Sequence, residues 1–341
     1  MNLRNIIIVS VTLVLIFESM ACRRPSAAAA MDTLTIYAFS VMKEPLEKDI
    51  FPAFQKEWET GHPGQVIKFS ASFAGSEMIT NQLISGVQSD VAIVAIERNA
   101  KRLRTFGVTK TDWHSELYEG IINHSPMVIV VRKDNPKKIL DYPDLANPGV
   151  KVIIPDPTSS GGAQWAVVGI YGSALIKAER SGGVRDEQKA FELLLGVWKN
   201  VLATPESARQ ARTQFESGFG DALVTYELEA LQMKDRKIPI KLIMPRATIS
   251  TDHTVVITDR RMPQAKRELV EAFVKYLWSE EAQNAFVRHH FRAITDPEKN
   301  RKESKFEPIE MPFTIDDFGG WQNAYPQIIE NVWKYKVQAM K

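Results

Sequence analysis

The chain has 341 residues and a nearly balanced charge. Its 43 lysine and arginine residues exceed its 41 aspartate and glutamate residues by two, and no long basic run occurs. This balance gives no support for binding to nucleic acid or another polyanion. The length allows one large domain or two lobes of roughly 150 residues each. Beyond the N-terminal region no apolar run reaches the roughly 18 residues of a transmembrane helix, so we expect a soluble globular protein.

The N-terminal region has the layout of a secretory signal peptide. Residues 1–4 form a short basic segment, and residues 6–17 form an apolar run. Small residues follow at Ala21 and at 27–30. The apolar run is too short to span a membrane comfortably. We therefore predict that 1–30 direct export, and that the mature protein is periplasmic or otherwise extracytoplasmic.

Cys22 is the only cysteine, so the sequence predicts no internal disulfide. Its position after the apolar run suggests a lipoprotein cleavage site, with the lipid on Cys22 and the protein anchored to the membrane. Ser19, however, stands where such sites usually have leucine. Cleavage after the alanine run at 27–30 would instead release a soluble protein without cysteine. Both alternatives stay open.

Strand-like and helix-like segments alternate after Asp32. The predicted strands are 33–39, 65–69, 90–94, 127–131, 151–154, 221–225, 239–243 and 254–258. The predicted helices are 44–60, 76–86, 163–177, 187–199, 209–217 and 266–278. The βαβαβ order predicts an α/β protein with mostly parallel sheets flanked by helices.

The order of these elements predicts two lobes with a hinged cleft between them. The first lobe comprises residues 31–124 and 255–310, and the second comprises 125–254. The strand at 254–258 would carry the chain back to the first lobe. A C-terminal tail, 311–341, is expected to pack across the lobes.

Patterns for catalysis or metal binding are weak. The sequence has no GxSxG elbow and no HExxH helix. Adjacent helical residues point about 100° apart, so His289-His290 would be a poor chelate. We expect the acidic pairs to be solvated or to cap helices; they are Asp316-Asp317 and Glu227 with Glu229. The sequence therefore predicts no enzyme, no metal and no cofactor.

A Ser/Gly-rich turn joins a short buried strand to a helix at 155–165, PDPTSSGGAQW. A helix start presents unpaired backbone N–H groups and the positive end of the helix dipole. Glycine lets a bound group approach this backbone closely. The pattern of a nucleotide phosphate loop is absent, so a small oxyanion is the natural ligand. The alternative is an ordinary serine cap beside a glycine turn.

Two further segments share this design. Ser76, after Ala74-Gly75, is predicted to cap the helix at 76–86, and Ser207-Ala208 precedes the helix at 209–217. Each helix start alone is better explained by structure than by binding. Three such starts in opposite lobes could converge on a cleft that holds an anion.

The run at 147–165, NPGVKVIIPDPTSSGGAQW, closely resembles the periplasmic sulfate-binding proteins of bacterial ABC importers. FTIDDFGGW at 313–321 is similar to their C-terminal signature. The likeness covers nearly the whole exported chain and implies a type II periplasmic binding fold. Further similar segments, shared with wider solute-binding families, occur in the same order at 131–137, 218–221 and 227–231.

The resemblance implies a set of hydrogen-bond donors to sulfate. In that family the Ser/Gly loop donates a serine hydroxyl and successive glycine amides, which implies Ser160, Gly161 and Gly162 here. A Gly-Ser helix start donates a backbone amide, which implies Ser76. The family also uses the backbone amide of an alanine, which implies Ala208 here, although the segment after it is one residue shorter than in the family.

This chain departs from the family pattern at three places. Tyr226 stands where the family has a tryptophan, and its phenol can also donate one hydrogen bond. Ser40, in the segment 39–42, replaces an aspartate-containing segment. Ser40, Ser76 and Tyr226 together resemble the wider molybdate- and tungstate-binding group. Glu77, in the first turn of its helix, is expected to complement the helix dipole rather than contact a ligand.

The resemblance implies capture rather than chemistry. We expect sulfate, with thiosulfate as a near relative, to be held by amides and hydroxyls and delivered to the transmembrane subunits of an ABC permease. Arg209 is expected to support the Ala208 loop, and the protein to be a monomer. The alternative ligand is molybdate, tungstate or another tetrahedral oxyanion. An enzyme acting on a small anion is a more distant alternative.

Overall fold

The computed structural model describes residues 30–341, and the predicted signal peptide and Cys22 lie outside this range. Eleven strands are found in the described residues. They are β1 (Ala30–Phe39), β2 (Gln65–Ala74), β3 (Val91–Val94), β4 (Ile121–Arg132), β5 (Val152–Ile153), β6 (Val201–Ala203), β7 (Ala222–Tyr226), β8 (Ile240–Ile243), β9 (Ala247–Ile257), β10 (Arg292–Ala293) and β11 (Met311–Phe313).

Twelve α-helices accompany these strands in residues 30–341. They are α1 (Lys43–Pro45), α2 (Phe51–Gly61), α3 (Ser76–Ile84), α4 (Glu97–Thr105), α5 (Gly161–Arg180), α6 (Glu187–Lys199), α7 (Ala208–Glu216), α8 (Glu227–Asp235), α9 (Gln264–Tyr276), α10 (Glu280–Arg288), α11 (Pro297–Lys302) and α12 (Trp321–Ala324). Two π-helical stretches, Leu46–Ile50 and Tyr325–Val337, extend α1 and α12. No helix within 30–341 has the length and apolar character needed to cross a membrane.

The strands form one connected sheet in the order β2-β1-β3-β9-β4-β7-β5-β6, with β8 and β10 on β4 and β11 on β9. We call β1, β2 and β3 the first strand group, and β5, β6 and β7 the second. The long strands β4 and β9 connect the two groups. Residues 121–126 of β4 pair with β9, and residues 127–131 pair with β7.

The sheet is mixed, and the prediction of mostly parallel sheets is wrong. Pairing within each strand group is parallel, as predicted. The connecting strands β4 and β9 run antiparallel to each other, and each is also antiparallel to its neighbour in a strand group. The physical reason is that the two long strands carry the chain across the molecule in opposite directions.

Helix α5 is buried along most of its length. Fifteen of its twenty residues are buried, so it is apolar on nearly all sides. Trp165 packs edge to face against Trp321, with ring centroids 4.6 Å apart. Its indole Nε1 donates to the carbonyl oxygen of Ala95 at 2.6 Å. The start of α5 is thereby fixed against the segment that follows β3.

Candidate anion-binding site

The seven residues predicted to bind the ligand are all buried and lie at element ends. Tyr226 ends β7, Ser40 directly follows β1, and the other five lie at or directly before the starts of three helices. The set is Ser40, Ser76, Ser160, Gly161, Gly162, Ala208 and Tyr226.

Helix α5 starts at Gly161, two residues before the predicted start. Ser160 is its N-cap, and its hydroxyl accepts the Ala163 N–H at 3.4 Å. The Asp156 carbonyl oxygen accepts hydrogen bonds from the backbone amides of Ser159 and Ser160, and these bonds stabilise the turn. Because Gly161 and Gly162 occupy the first helical turn, their amides have no acceptor within the helix. Neither donates to another residue in the described part of the chain.

The two glycines permit a close approach of neighbouring segments. A Cβ atom at Gly161 would lie 2.9 Å from the Cβ of Ala95 and 3.2 Å from the Cβ of Ser76. A Cβ at Gly162 would lie 3.0 Å from the hydroxyl oxygen of Tyr226. The structure therefore brings the start of α5 beside both Ser76 and Tyr226.

Helix α3 is capped by Gly75, and the prediction that Ser76 is its cap is wrong. Ser76 is the first helical residue, and its hydroxyl faces the segment that follows β3. That hydroxyl accepts the Ala95 N–H at 3.0 Å and donates to the Asn99 side-chain oxygen at 2.9 Å. A hydroxyl has one proton, so this one is already engaged. The Ser76 amide has no acceptor among residues 30–341.

Helix α7 starts at Ala208, one residue before the predicted start, and its cap Ser207 accepts the Gln210 N–H at 3.3 Å. Ala208 follows as the first helical residue. The segment before it touches the start of α3, because a Cβ at Gly75 would lie 2.7 Å from the Glu206 carbonyl oxygen. The same Cβ would collide with the Ser159 carbonyl oxygen. The starts of α3, α5 and α7 thus meet at Gly75.

Ser40 begins a short 3-10 turn, Ser40–Met42, that contacts α7. It lines an open cleft of about 460 Å³ together with Gly75, Ser207 and Arg209. Ser40 is therefore placed beside Gly75 and Ser207, the caps of α3 and α7, in a cleft that the other six candidate residues do not line.

Tyr226 lies at the end of β7, where the sequence analysis places it. It is 1% exposed, and its hydroxyl has no hydrogen-bond partner in the described part of the chain. Burial, and next the nearby charge of Glu229, raise the pKa of this phenol above its ordinary value. The hydroxyl therefore stays protonated at neutral pH and is available as a donor beside Gly162.

Glu77 follows Ser76 in the first turn of α3, as predicted. The sequence did not predict the side chains that pair with its carboxylate. Its carboxylate accepts from Arg98 at 3.0 Å, from Arg102 at 2.5 Å and from the Gln164 amide at 3.2 Å. The side chain of Glu77 is 7% exposed. Its negative charge is thus compensated by two arginines rather than by the helix dipole alone.

Arg209 follows Ala208 in the first turn of α7 and is held by two carboxylates. It forms a two-pronged ion pair with Glu44, and its Nε lies 3.3 Å from Glu229. Burial alone would raise the pKa of Glu44, but the hydrogen bonds and charge of Arg209 hold it below its ordinary value. The cation is therefore engaged by acids from α1 and α8.

The prediction that Glu227 and Glu229 are solvated or capping is wrong. Both are fully buried, and each is paired with a buried or half-buried arginine. Glu227 pairs with Arg292 at 2.8 Å, and Glu229 pairs with Arg212 at 2.7 Å. The partners come from distant parts of the chain, so the local sequence does not reveal them.

No cluster of His, Cys, Asp and Glu able to hold a metal ion occurs in residues 30–341. His289 and His290 turn to separate carboxylates, Asp49 and Asp235. The Glu77 carboxylate near these helix starts is paired with Arg98 and Arg102, so the groups left to donate are amides and hydroxyls. Chemically, such a set can hold an anion by hydrogen bonds and the helix dipoles.

Comparison with known proteins defines the class. The bacterial extracellular solute-binding protein family matches residues 34–292. The sulfate-binding protein of Synechocystis sp. is 31% identical over 309 residues, covering 89% of this chain and 86% of the relative. The sulfate-binding protein of Escherichia coli is 31% identical over 285 residues, covering 82% and 84%. The thiosulfate-binding protein of Pseudomonas aeruginosa is 29% identical over 308 residues, covering 87% and 89%.

Among solved structures, the sulfate-binding protein SubI from Mycobacterium tuberculosis superposes with a TM-score of 0.77 and 26% identity. The match covers 87% of this chain and 99% of SubI. The fold is thus an α/β fold of the periplasmic binding type. The chain belongs to the bacterial extracellular solute-binding protein family, and the prediction that it is not an enzyme is confirmed.

Proposed function

We propose that this protein is the extracytoplasmic solute-binding component of an ABC importer and captures sulfate, with thiosulfate as a second substrate. The names of its relatives support this ligand class, because five of them are sulfate-binding and two are thiosulfate-binding proteins. The transmembrane subunits of the importer are the proposed partner.

The observation that carries the proposal is the meeting of three helix starts with two hydroxyl donors. We propose the Ser160 and Tyr226 hydroxyls and the amides of Ser76, Gly161, Gly162 and Ala208 as the donors, with Ser40 at the edge of the site. Sulfate is a full dianion near neutral pH and has no proton to donate. A site of donors only can satisfy all its oxygens, whereas an anion that carries a proton would lack an acceptor.

The neighbouring charges support binding without a direct cation. Arg98 and Arg102 are engaged by Glu77, and Arg209 is engaged by Glu44 and Glu229. We propose that the positive ends of the three helices hold the anion, and that Arg209 positions the α7 start rather than touching sulfate.

We propose two lobes, residues 31–124 with 255–310 and residues 125–254, that close on the ligand. The support is the change of partners in the connecting strands. β4 pairs with β9 through Pro126 and with β7 from Met127, and β9 pairs with β3 from Thr254. A bend in these two strands would separate the strand groups and open the cleft. The tail at 311–341 is proposed to pack across the lobes, since Trp321 contacts Trp165 of the second lobe and Tyr325 contacts Arg98 of the first.

A second candidate ligand is molybdate or tungstate. Tyr226 in place of tryptophan, and Ser40 at the edge of the cleft, favour it. The Ser76 hydroxyl does not, because its proton is donated to Asn99. We therefore rank sulfate first.

Export is proposed to follow cleavage of the signal peptide, with a lipid anchor on Cys22 as the alternative to a soluble mature chain. Mass spectrometry of the mature N-terminus distinguishes the two. A lipid-modified Cys22 supports the anchor, and a chain that begins after Ala30 excludes it.

Calorimetric titration of ligand-free protein with sulfate, thiosulfate, molybdate and phosphate tests the proposed function. We expect tight sulfate binding and no phosphate binding. Bound sulfate should also raise stability by about 2.7 kcal/mol at a hundredfold excess over the dissociation constant. Tight molybdate binding without sulfate binding would overturn the ligand assignment in favour of the second candidate.

A further inference from the structure

A cluster of aromatic rings lies directly behind the proposed site. The His253 ring is fully buried and stands 4.6 Å from the Phe39 ring and 5.4 Å from the Tyr226 ring, measured between centroids. The Phe39 and Tyr226 rings also meet edge to face at 6.3 Å. Phe39 directly precedes Ser40, and Tyr226 carries the unpartnered hydroxyl beside Gly162. His253 therefore packs against Phe39, the neighbour of the proposed contact Ser40, and against the ring of Tyr226, whose hydroxyl is itself a proposed contact.

His253 also lies on a connecting strand rather than in either strand group. It is on β9, paired in register with Asn123 of β4, and the pairing shifts between Ile121 and Asn123. Its Nδ1 donates to the Asn123 side-chain oxygen at 2.6 Å. Its Nε2 lies 3.3 Å from the Thr251 hydroxyl, which donates its own proton to the Ser125 carbonyl oxygen. The hydrogen bond to Asn123 fixes the ring where the two long strands pair.

The ring is held neutral. Burial, and next the nearby His124, hold the pKa of His253 well below its ordinary value. A neutral imidazole can pack against aromatic rings on one side while it hydrogen-bonds on the other. The 80° angle between the His253 and Tyr226 rings is the edge-to-face arrangement that aromatic pairs prefer.

We infer that His253 is a positioning residue for anion binding, which acts through Tyr226. Fixed by Asn123 where β4 and β9 pair, its ring sets the orientation of the Tyr226 ring and so aims the hydroxyl at the start of α5. It contacts Phe39 of β1 and Tyr226 of β7, one residue from each strand group. The inference rests on the proposed function of the site.

The test compares His253→Gln with His253→Phe by calorimetric titration with sulfate. Glutamine can keep a hydrogen bond to Asn123 but removes the ring, whereas phenylalanine keeps a ring. We expect His253→Gln to raise the sulfate dissociation constant about three- to tenfold and His253→Phe to restore part of the affinity. His124→Gln is the matched control, because His124 lies next to Asn123 on β4 and pairs with Asp252. It should leave affinity unchanged.

To distinguish positioning of Tyr226 from a general structural role of His253, the His253→Gln change is repeated in a Tyr226→Phe background. If His253 acts through the Tyr226 hydroxyl, His253→Gln should have little further effect on affinity there. Equal losses in both backgrounds would overturn the inference while leaving the proposed function intact. Failure of the unsubstituted protein to bind sulfate would instead contradict the proposed function.

A readout without ligand keeps the inference testable in either case. In ligand-free protein with isotope-labelled tyrosine, the ring resonance of Tyr226 is assigned by its loss in Tyr226→Phe. His253→Gln should shift this resonance, and His124→Gln should not. An unshifted resonance in folded His253→Gln protein would overturn the inference.

Discussion

The starts of α5 and α3 carry the same two residue types in opposite order. In Ser160-Gly161 the serine is the cap and the glycine is the first helical residue, whereas in Gly75-Ser76 the roles are exchanged. The Ser160 hydroxyl only accepts a bond, from Ala163, so its proton remains available. The Ser76 hydroxyl donates its proton to Asn99. The order within the pair therefore decides whether a helix start offers a hydroxyl and amides or an amide alone.

The largest expected effect comes from Gly75→Ala. The φ and ψ angles of Gly75 are −61° and 142°, which alanine adopts without strain. The added Cβ would meet the backbone carbonyl oxygens of Ser159 and Glu206, which cannot move as a side chain can. We expect the unliganded protein to fold normally and sulfate affinity to fall by about a hundredfold, near the upper end of overpacking effects.

Gly61→Ala is the control for this change, since nothing lies within 4 Å of a Cβ at Gly61. Its sulfate affinity should match that of the unsubstituted protein. Normal sulfate binding by Gly75→Ala would show that the three helix starts do not meet in the bound state.

The next effect separates the two serines directly. Ser160→Ala should weaken sulfate binding by about 1.5–3 kcal/mol, because a buried dianion loses a hydroxyl donor. Ser76→Ala should instead lower the free energy of unfolding by about 1–3 kcal/mol, since it leaves the Ala95 N–H and the Asn99 oxygen unpaired. Calorimetry and thermal unfolding of both variants measure the contrast. Equal affinity losses would contradict the assignment of one hydroxyl to the ligand and the other to the fold.

A smaller loss is expected at Tyr226, the donor outside the helix starts. Tyr226→Phe keeps the ring and removes only the hydroxyl, so sulfate binding should weaken by about 1–2 kcal/mol with folding intact. Sulfate titration and a thermal melt check both parts. Unchanged affinity would return Tyr226 to a packing role, and loss of sulfate binding with retained molybdate binding would favour the second candidate ligand.

The smallest effect on binding is expected at Glu77, beside Ser76. Glu77→Gln should change sulfate affinity by less than about threefold, because the carboxylate faces Arg98, Arg102 and Gln164. Stability should fall by about 1–3 kcal/mol as charged hydrogen bonds are lost. A large gain in sulfate affinity on titration would instead mean that the carboxylate faces the anion.

The sequence predicts the helix starts better than it predicts the sheet. The starts of α3, α5 and α7 lie within two residues of their predicted positions, because serine beside glycine or alanine is a local signal. The first halves of β4 and β9 were missed, since buried polar residues such as Asn123, Ser125 and His253 interrupt the apolar pattern of a strand. Their hydrogen bonds to one another appear only in the fold.

The pairing of buried acidic residues with arginines also could not be predicted from the local sequence. Glu229 looks like an ordinary helical surface residue in the sequence, yet it is buried because Arg209 and Arg212 reach it from α7. Ser76 was mistaken for a cap because Gly75 can occupy that position equally well. Both outcomes depend on which segments pack together, which a single sequence does not specify.

The most direct test of donor-only capture is a crystal structure of the sulfate-bound protein. The account predicts sulfate oxygens within about 3.2 Å of the Ser160 and Tyr226 hydroxyls and of the Ser76, Gly161, Gly162 and Ala208 amides. Every arginine nearby should remain on its carboxylate. A sulfate oxygen bound directly by Arg98, Arg102 or Arg209 would contradict it.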